Sequence, residues 1–256
     1  MAAISARFAC FALVASLALA GCGGGGTLTP SPTPAPTPTP TPPAADPVTL
    51  GFTFAAQDPA WTSAYADYTI GMEPSLAFSA TWEQLPSPLQ ASSGLRHFSR
   101  NVSDDLFMYV WRRVDGLRPA TRYRLGLTLT IATNAPRGCP GAGGAPGEAV
   151  TVKAGLLAEP PAHRTDSGTM VRTAFDKGDQ SQAGATSTVL GNLAKPTGVC
   201  GDPPLYAEKT LTADGTGVSA TSDASGRLWL YVGTDSGYEG HTALYYLHGM
   251  ATLTPQ

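Results

Sequence analysis

Acidic residues gather where turns are expected. Asp104 and Asp105 precede an apolar stretch, Asp176 and Asp179 fall in D-K-G-D-Q-S-Q, and Asp235 and Glu239 fall in V-G-T-D-S-G-Y-E-G-H. Calcium is bound by several carboxylate and carbonyl oxygens, and loops of this composition supply them. Asp104, Asp105, Glu148, Asp176, Asp179 and Asp235 are therefore the candidate ligands of a possible calcium ion, and no other cofactor is required. The D-x-[DN]-x-[DN]-G register of an EF-hand is absent. The plainer reading of D-K-G-D-Q-S-Q is that Asp, Gly and Ser simply make a turn. Tyr238 and Glu239 share a glycine-rich loop tip, where a ring face and a carboxylate could contact a sugar. The ordinary alternative there is a hairpin tip with its tyrosine packed on a neighbour. Trp61 lies between turn signals and either stands exposed, as a third ligand contact, or plugs one end of the fold.

Catalytic constellations are not singled out. Asp-Ser-Gly occurs at 166–168 and 235–237, but the two copies are too close in sequence for the two lobes of an aspartic protease. The run G-T-D-S-G does not match the G-x-S-x-G nucleophile turn. His97, His163, His241 and His248 show no H-E-x-x-H spacing, although a triad could still assemble from distant loops. Glu148, Glu208 and Glu239 are the best-placed acids for glycoside hydrolysis, with no pair preferred over another. Trp82, Trp111 and Trp229 fall into the core by pattern.

The elements that must carry these residues are strands. In T-R-Y-R-L-G-L-T-L-T-I-A-T (121–133), Tyr123, Leu125, Leu127, Leu129 and Ile131 alternate with polar positions, the period-2 signature of a sheet with one buried face. Segments 105–114 and 227–233 are apolar on both faces and read as central strands, and 243–253 as a long final strand. Further strands are expected at 49–54, 76–82, 94–100, 148–156, 169–175, 186–193 and 205–211. No window carries a capped helical repeat. About ten strands joined by Gly, Pro and Asp turns predict an all-β fold, a single β-sandwich with little or no helix.

The piece G-L-R-P-A-T-R-Y-R-L-G-L-T-L (116–129) resembles the turn into a strand found in jelly-roll carbohydrate-binding modules and fibronectin-like domains. The opening strand, the Trp that follows it and the long last strand resemble galactose-binding-like jelly rolls. That resemblance implies a jelly-roll fold, a glycan as ligand and a structural calcium. A second resemblance spans most of 49–253. The pieces S-D-D-L-F-M-Y (103–109), A-T-N-A-P-R-G-C (132–139), D-K-G-D-Q-S-Q (176–182) and L-W-L-Y-V-G-T-D-S-G-Y-E-G (228–240) are similar to a family of bacterial secreted proteins and lipoproteins of unknown function, which implies a single domain and no particular chemistry.

The N-terminus sets the compartment. Arg7 precedes an apolar run from Phe8 to Ala20, a secretory signal too short for a stable span. It ends in Leu19-Ala20-Gly21-Cys22, which resembles the lipobox of bacterial lipoproteins. The resemblance implies cleavage before Cys22 and acylation of that residue, leaving 1–21 as the signal, and implies a bilayer as partner through the acyl chains. Gly23 after the cysteine favours the outer membrane. The alternative is an ordinary signal cleaved after Ala20 with Cys22 free. Residues 22–47 form a glycine run and then a Pro/Thr-rich stalk. At about 3.1 Å per residue in polyproline II, the stalk could hold a domain roughly 60 Å from the bilayer. The domain is 48–256, long enough for a self-sufficient core.

Of the four cysteines, Cys10 leaves with the signal and Cys22 takes lipid. Cys139 and Cys200, both in Gly/Pro-rich loops of an exported chain, are expected to pair, the alternatives being two free thiols or half a metal site. Loss of Arg7 moves the formal charge from −3 to −4, which argues against nucleic acid as a partner. The readings that remain are an envelope lipoprotein whose module binds a glycan or another envelope ligand, a protein–protein interaction lipoprotein, and an envelope glycoside hydrolase.

Overall fold

The computed structural model describes residues 46–102, 105–215 and 217–256; Cys22 and Asp104 lie outside them. The domain is a β-sandwich of two antiparallel sheets with a small third sheet laid over one outer face. In chain order the elements are β1 (Val48–Thr53), β2 (Thr62–Ala66), β3 (Tyr68–Thr69), the single-turn helix α1 (Glu73–Leu76), β4 (Ser79–Gln84), β5 (Ser93–Arg100), β6 (Leu106–Val114), β7 (Arg122–Thr133), β8 (Val150–Leu157), β9 (His163–Asp166), β10 (Met170–Thr173), β11 (Ser187–Asn192), β12 (Ala207–Ala213), β13 (Ser219–Thr221), β14 (Leu228–Ser236) and β15 (His241–Pro255).

The larger sheet runs β12-β7-β15-β5-β4, with β1 paired to β15 and β13 to β7. The first half of β15 pairs with β5 and the second half with β1, and a bulge between Tyr246 and His248 marks the changeover. The second sheet runs β11-β8-β14-β6-β2. Its inner face is the one that alternation demands. Leu106, Met108 and Val110 of β6, Val150, Val152, Ala154 and Leu156 of β8, and Leu228, Leu230 and Val232 of β14 meet Leu125, Leu127, Leu129 and Ile131 of β7 in one core. Tyr123 enters that core, and its hydroxyl accepts the Arg118 N–H at 3.0 Å, fixing the turn before β7. Trp61 is buried, packed between Phe52 and Phe54 with the Arg112 guanidinium over its ring; it plugs the sandwich and presents no exposed face.

The outer face of the second sheet is also covered, which is why its strands read as apolar on both sides. Residues 158–186 leave β8, form the β9–β10 hairpin and cross back to β11. With β3 the hairpin makes the third sheet. Ser167 and Gly168 both have positive φ, and the Thr169 N–H donates to the Asp166 carbonyl at 3.1 Å, so the first Asp-Ser-Gly opens the three-residue loop of the hairpin. Phe175 packs on Tyr109 and Tyr231, and the Tyr109 hydroxyl meets His163 Nε2 at 3.0 Å. Gly155 faces the Tyr231 ring so closely that any side chain there would collide with it.

Cys139 and Cys200 are joined, linking the β7–β8 and β11–β12 connections across a separation of 61 residues. On chain entropy alone this loop closure contributes about 4 kcal/mol.

One buried titratable group lies between the sheets. His97 of β5 is fully enclosed against Phe78 and Tyr246, with Nε2 at 2.8 Å from the Ser63 hydroxyl and Nδ1 without a hydrogen-bond partner. Burial pushes its pKa from 6.5 down to about 3. The unfolded chain therefore binds a proton between those values that the folded chain refuses. The stability His97 permits is whole above pH 6.5 and is lost as pH falls toward 3. Asp105, raised by burial to about 6, has the opposite sign between 3.8 and 6, so the wild-type curve is a sum. Subtracting the urea-derived stability curve of His97→Gln isolates the histidine. The variant is expected to lose several kcal/mol less than wild type between pH 7 and pH 4; parallel curves would refute the assignment.

Candidate functional site

Two features lie on the outer face of the β11-β8-β14-β6-β2 sheet, a cluster of charge and a tryptophan-lined groove. Lys153 of β8 and Asp235 of β14 point outward by alternation, and both side chains are 0% exposed. Asp67 follows β2 in a left-handed conformation (φ 63°), and its N–H donates to the Val171 carbonyl at 2.7 Å, which turns its carboxylate to the same place. Asp105 leads into β6, Arg172 comes from β10 and Lys177 from the returning loop.

Lys177 is the hub. Its Nζ lies 2.7 Å from Asp235 Oδ2, 2.9 Å from Asp67 Oδ2 and 3.7 Å from Asp105 Oδ1, and 5.3 Å above the Phe107 ring. Lys153 Nζ donates to Asp235 Oδ2 at 2.7 Å and to the Lys177 carbonyl at 3.0 Å. Arg172 is hydrogen-bonded to Asp105 and lies 3.6 Å from Asp67. Three carboxylates thus face three cations and the cluster is neutral.

The protonation equilibria follow from burial set against this pairing. Burial pulls the Lys177 ammonium down, but the three carboxylates overcome it and hold it up at about 12. Burial pushes Asp105 up to about 6 against the attraction of Lys177. Asp235 is raised and Lys153 lowered, each chiefly by burial. Asp67, Asp105, Arg172 and Lys177 line a polar cleft of about 590 Å³ together with Arg164, Asp166, Asp176 and Asp179, while Lys153 and Asp235 lie enclosed beneath it.

The ligating oxygens of Asp67, Asp105 and Asp235 lie within 4.8 Å of one another, a spacing that a metal ion could share. The Lys177 ammonium stands among them. Among the described acids expected from sequence to form one site, only Asp105 and Asp235 join the cluster. Asp176 caps its own turn, accepting the N–H groups of Gly178 and Ala185 at 3.0 and 2.8 Å, and those bonds lower its pKa. Asp179 lines the cleft without joining the cluster, and Glu148 accepts the Gly138 N–H beside the disulfide at 3.0 Å. Tyr238 is half-buried against the core with its ring over Gly141 and Gly240, while Glu239 is exposed at the loop tip. Sequence reasoning missed Asp67, Lys153, Arg172 and Lys177. The one available signal was Lys153, a lysine inside the apolar strand V-T-V-K-A-G-L.

The groove lies at the other end of the same face. Trp111 of β6 and Trp229 of β14 point outward on neighbouring strands, Trp229 opposite Arg113 and Tyr231 opposite Trp111. They line a groove of about 750 Å³ with Arg113, Glu159, Pro160, Asp223 and Arg227. Trp229 is 7% exposed and Trp111 is half-buried. The apolar pattern predicts both in the core, and Trp229 is there, buried with Phe107, Tyr109, Leu157 and Tyr231; Trp111 packs on that cluster and stays half-buried where the 158–186 excursion stops short of covering the sheet. The charged wall is itself ordered, Arg113 pairing with Asp115 and Arg227 with Asp223, each at 2.8 Å.

No family profile and no curated protein matches the chain. Among solved structures it is similar to a carbohydrate-binding module that recognises mannan, at 11% identity over 83% of this chain and 99% of that one, TM-score 0.36. It is also similar to a module specific for non-crystalline cellulose, at 12% identity over 77% and 88%, TM-score 0.33. It spans only 19% of the enzymatically active part of a bacteriophage CBA120 tailspike protein, at 10% identity over 74% of this chain, TM-score 0.29. Likeness of this order says nothing of a ligand, and the β-sandwich class rests on the two sheets themselves.

Breaking a buried ion pair by removing one partner costs several kcal/mol, because the partner's charge stays buried. Lys177→Met leaves three carboxylates facing two cations. Urea denaturation is expected to show a loss of about 3 kcal/mol or more; a loss below about 1 kcal/mol would mean that the hub carries little.

Proposed function

We propose that this chain is a lipid-anchored envelope protein whose β-sandwich binds a glycan in the Trp111–Trp229 groove. The observation that carries the reading is the half-buried Trp111 indole, backed by Trp229, at a groove flanked by charged groups that pair with one another. An indole offers a flat apolar surface to the C–H face of a pyranose, and fixed polar groups at the rim select among hydroxyl patterns. Neither Trp61, buried in the core, nor Tyr238, packed on its own loop, offers a comparable surface.

Calcium enters this reading only as a competitor of Lys177 for Asp67, Asp105 and Asp235. An ammonium already neutralises those carboxylates, so binding of glycan is expected to be independent of calcium. A glycan array read by calorimetry, run with calcium and with a chelator, tests both points. Trp111→Ala is expected to weaken the best glycan about tenfold or more while leaving the melting temperature within a few degrees. Unchanged affinity moves the site elsewhere, and a calcium-dependent melting temperature places an ion at the carboxylates.

The anchor is supported by Leu19-Ala20-Gly21-Cys22 after the apolar run. Several acyl chains on one residue hold a protein to a bilayer far better than one. Mass spectrometry of the N-terminal peptide from cell membranes is expected to start at an acylated Cys22; an unmodified cysteine there would remove the anchor.

A further inference from the structure

Lys153 and Asp235 differ from the other members of the charge cluster in being wholly enclosed. They stand on adjacent antiparallel strands, Lys153 opposite Gly233 and Asp235 opposite Thr151. The lysine therefore leans diagonally across a position with no side chain to reach the carboxylate, and its Nζ stops 2.7 Å from Oδ2. Oδ1 of the same carboxylate is buried and has no hydrogen-bond partner.

We propose that Lys153 and Asp235 condense to an intramolecular amide that ties β8 covalently to β14. The inference is independent of the glycan reading. In this step the Lys153 nitrogen gives up two of its three ammonium protons and forms a bond to Cγ of Asp235. The Cγ–Oδ2 bond breaks, and Oδ2 departs as water carrying two protons, equal in number to those the ammonium lost. Lys177 Nζ donates to that same oxygen at 2.7 Å, so it can deliver a proton to the leaving group. Asp67 and Asp105, at 2.9 and 3.7 Å from Lys177 Nζ, can return one to it. Oδ1 becomes the amide oxygen. Ammonium and carboxylate go in, amide and water come out, and no oxidant or activated donor is needed.

Three further observations favour the step. Burial moves Lys153 toward the free amine and Asp235 toward the neutral acid, the forms in which one is a nucleophile and the other an electrophile. Fixing the two groups in contact on a rigid sheet supplies the effective concentration that separate reactants lack. The reaction deletes one positive and one negative charge, so Lys177 and Arg172 remain balanced by Asp67 and Asp105. Before condensation the site holds two desolvated full charges, and afterwards a neutral amide, which is cheaper to bury.

The test is peptide mapping of the full-length protein after reduction and denaturation. Lys153 and Asp235 are expected in one branched peptide, lighter by one water than the two linear peptides together. Recovery of both as separate linear peptides overturns the proposal, and that outcome needs no variant to fold. Lys153→Arg keeps the positive charge and the donors but offers no acylatable amine under these conditions; it should yield only linear peptides. A branched peptide that persists in this variant would assign the bond to Lys177 and overturn the pairing of Lys153 with Asp235.

Discussion

The covered face of the second sheet depends on one ammonium. Lys177 Nζ sits among the carboxylates of Asp67, Asp105 and Asp235, each from a different part of the chain. Through it the 158–186 excursion is held to strands β2, β6 and β14 at once. The hydrophobic contribution is Phe175 against Tyr109 and Tyr231, which fills space but fixes little direction. The ion pairs fix direction, because a desolvated charge that strays from its partners loses them without regaining water. The two terms act together: aromatic packing excludes solvent from the cluster, and exclusion of solvent makes the cluster selective for one arrangement.

That arrangement divides the sheet face into two regimes. At one end, charge is compensated at the floor of a polar cleft, with Lys153 and Asp235 fully enclosed beneath it. At the other, the excursion has already turned away, and Trp111 meets solvent at a groove backed by the buried Trp229. A sheet with both faces wholly apolar would need burial on both sides; one with alternating polarity would leave one face to water. This sheet does the first over most of its length and the second at its end.

The sequence pattern makes the long strands legible. Alternation in 121–133 predicts β7 and its inward residues, and the doubly apolar segments predict central strands, as β6 and β14 prove to be. The short elements β2, β3, β9 and β13 are not legible. They carry no alternation of their own and exist because a long strand offers them hydrogen bonds, as β7 does for β13 and β6 for β2. The disulfide follows from counting cysteines in a chain read from its N-terminus as exported. The charge cluster is half visible. Asp105 and Asp235 stand out as acids near strands, but nothing local tells which distant carboxylate will join them. Asp67 does so only because its backbone is left-handed where β2 ends. The pattern places Trp111 and Trp229 in the core, and Trp229 is buried there; Trp111 stays half-buried because the covering loop ends short of it, and the length of that loop has no local signature.

The first strand is zipped along the last, with Val48 opposite Leu253 and Thr53 opposite His248. Tension entering at Val48 is therefore taken by rungs between the first and last strands of the domain before it reaches any other strand. Behind β15 stand β5 and β7, which grip it along almost its whole length. The seam most exposed to a pull is thus backed by the most heavily braced strand in the domain, so that β1 yields before the sandwich does.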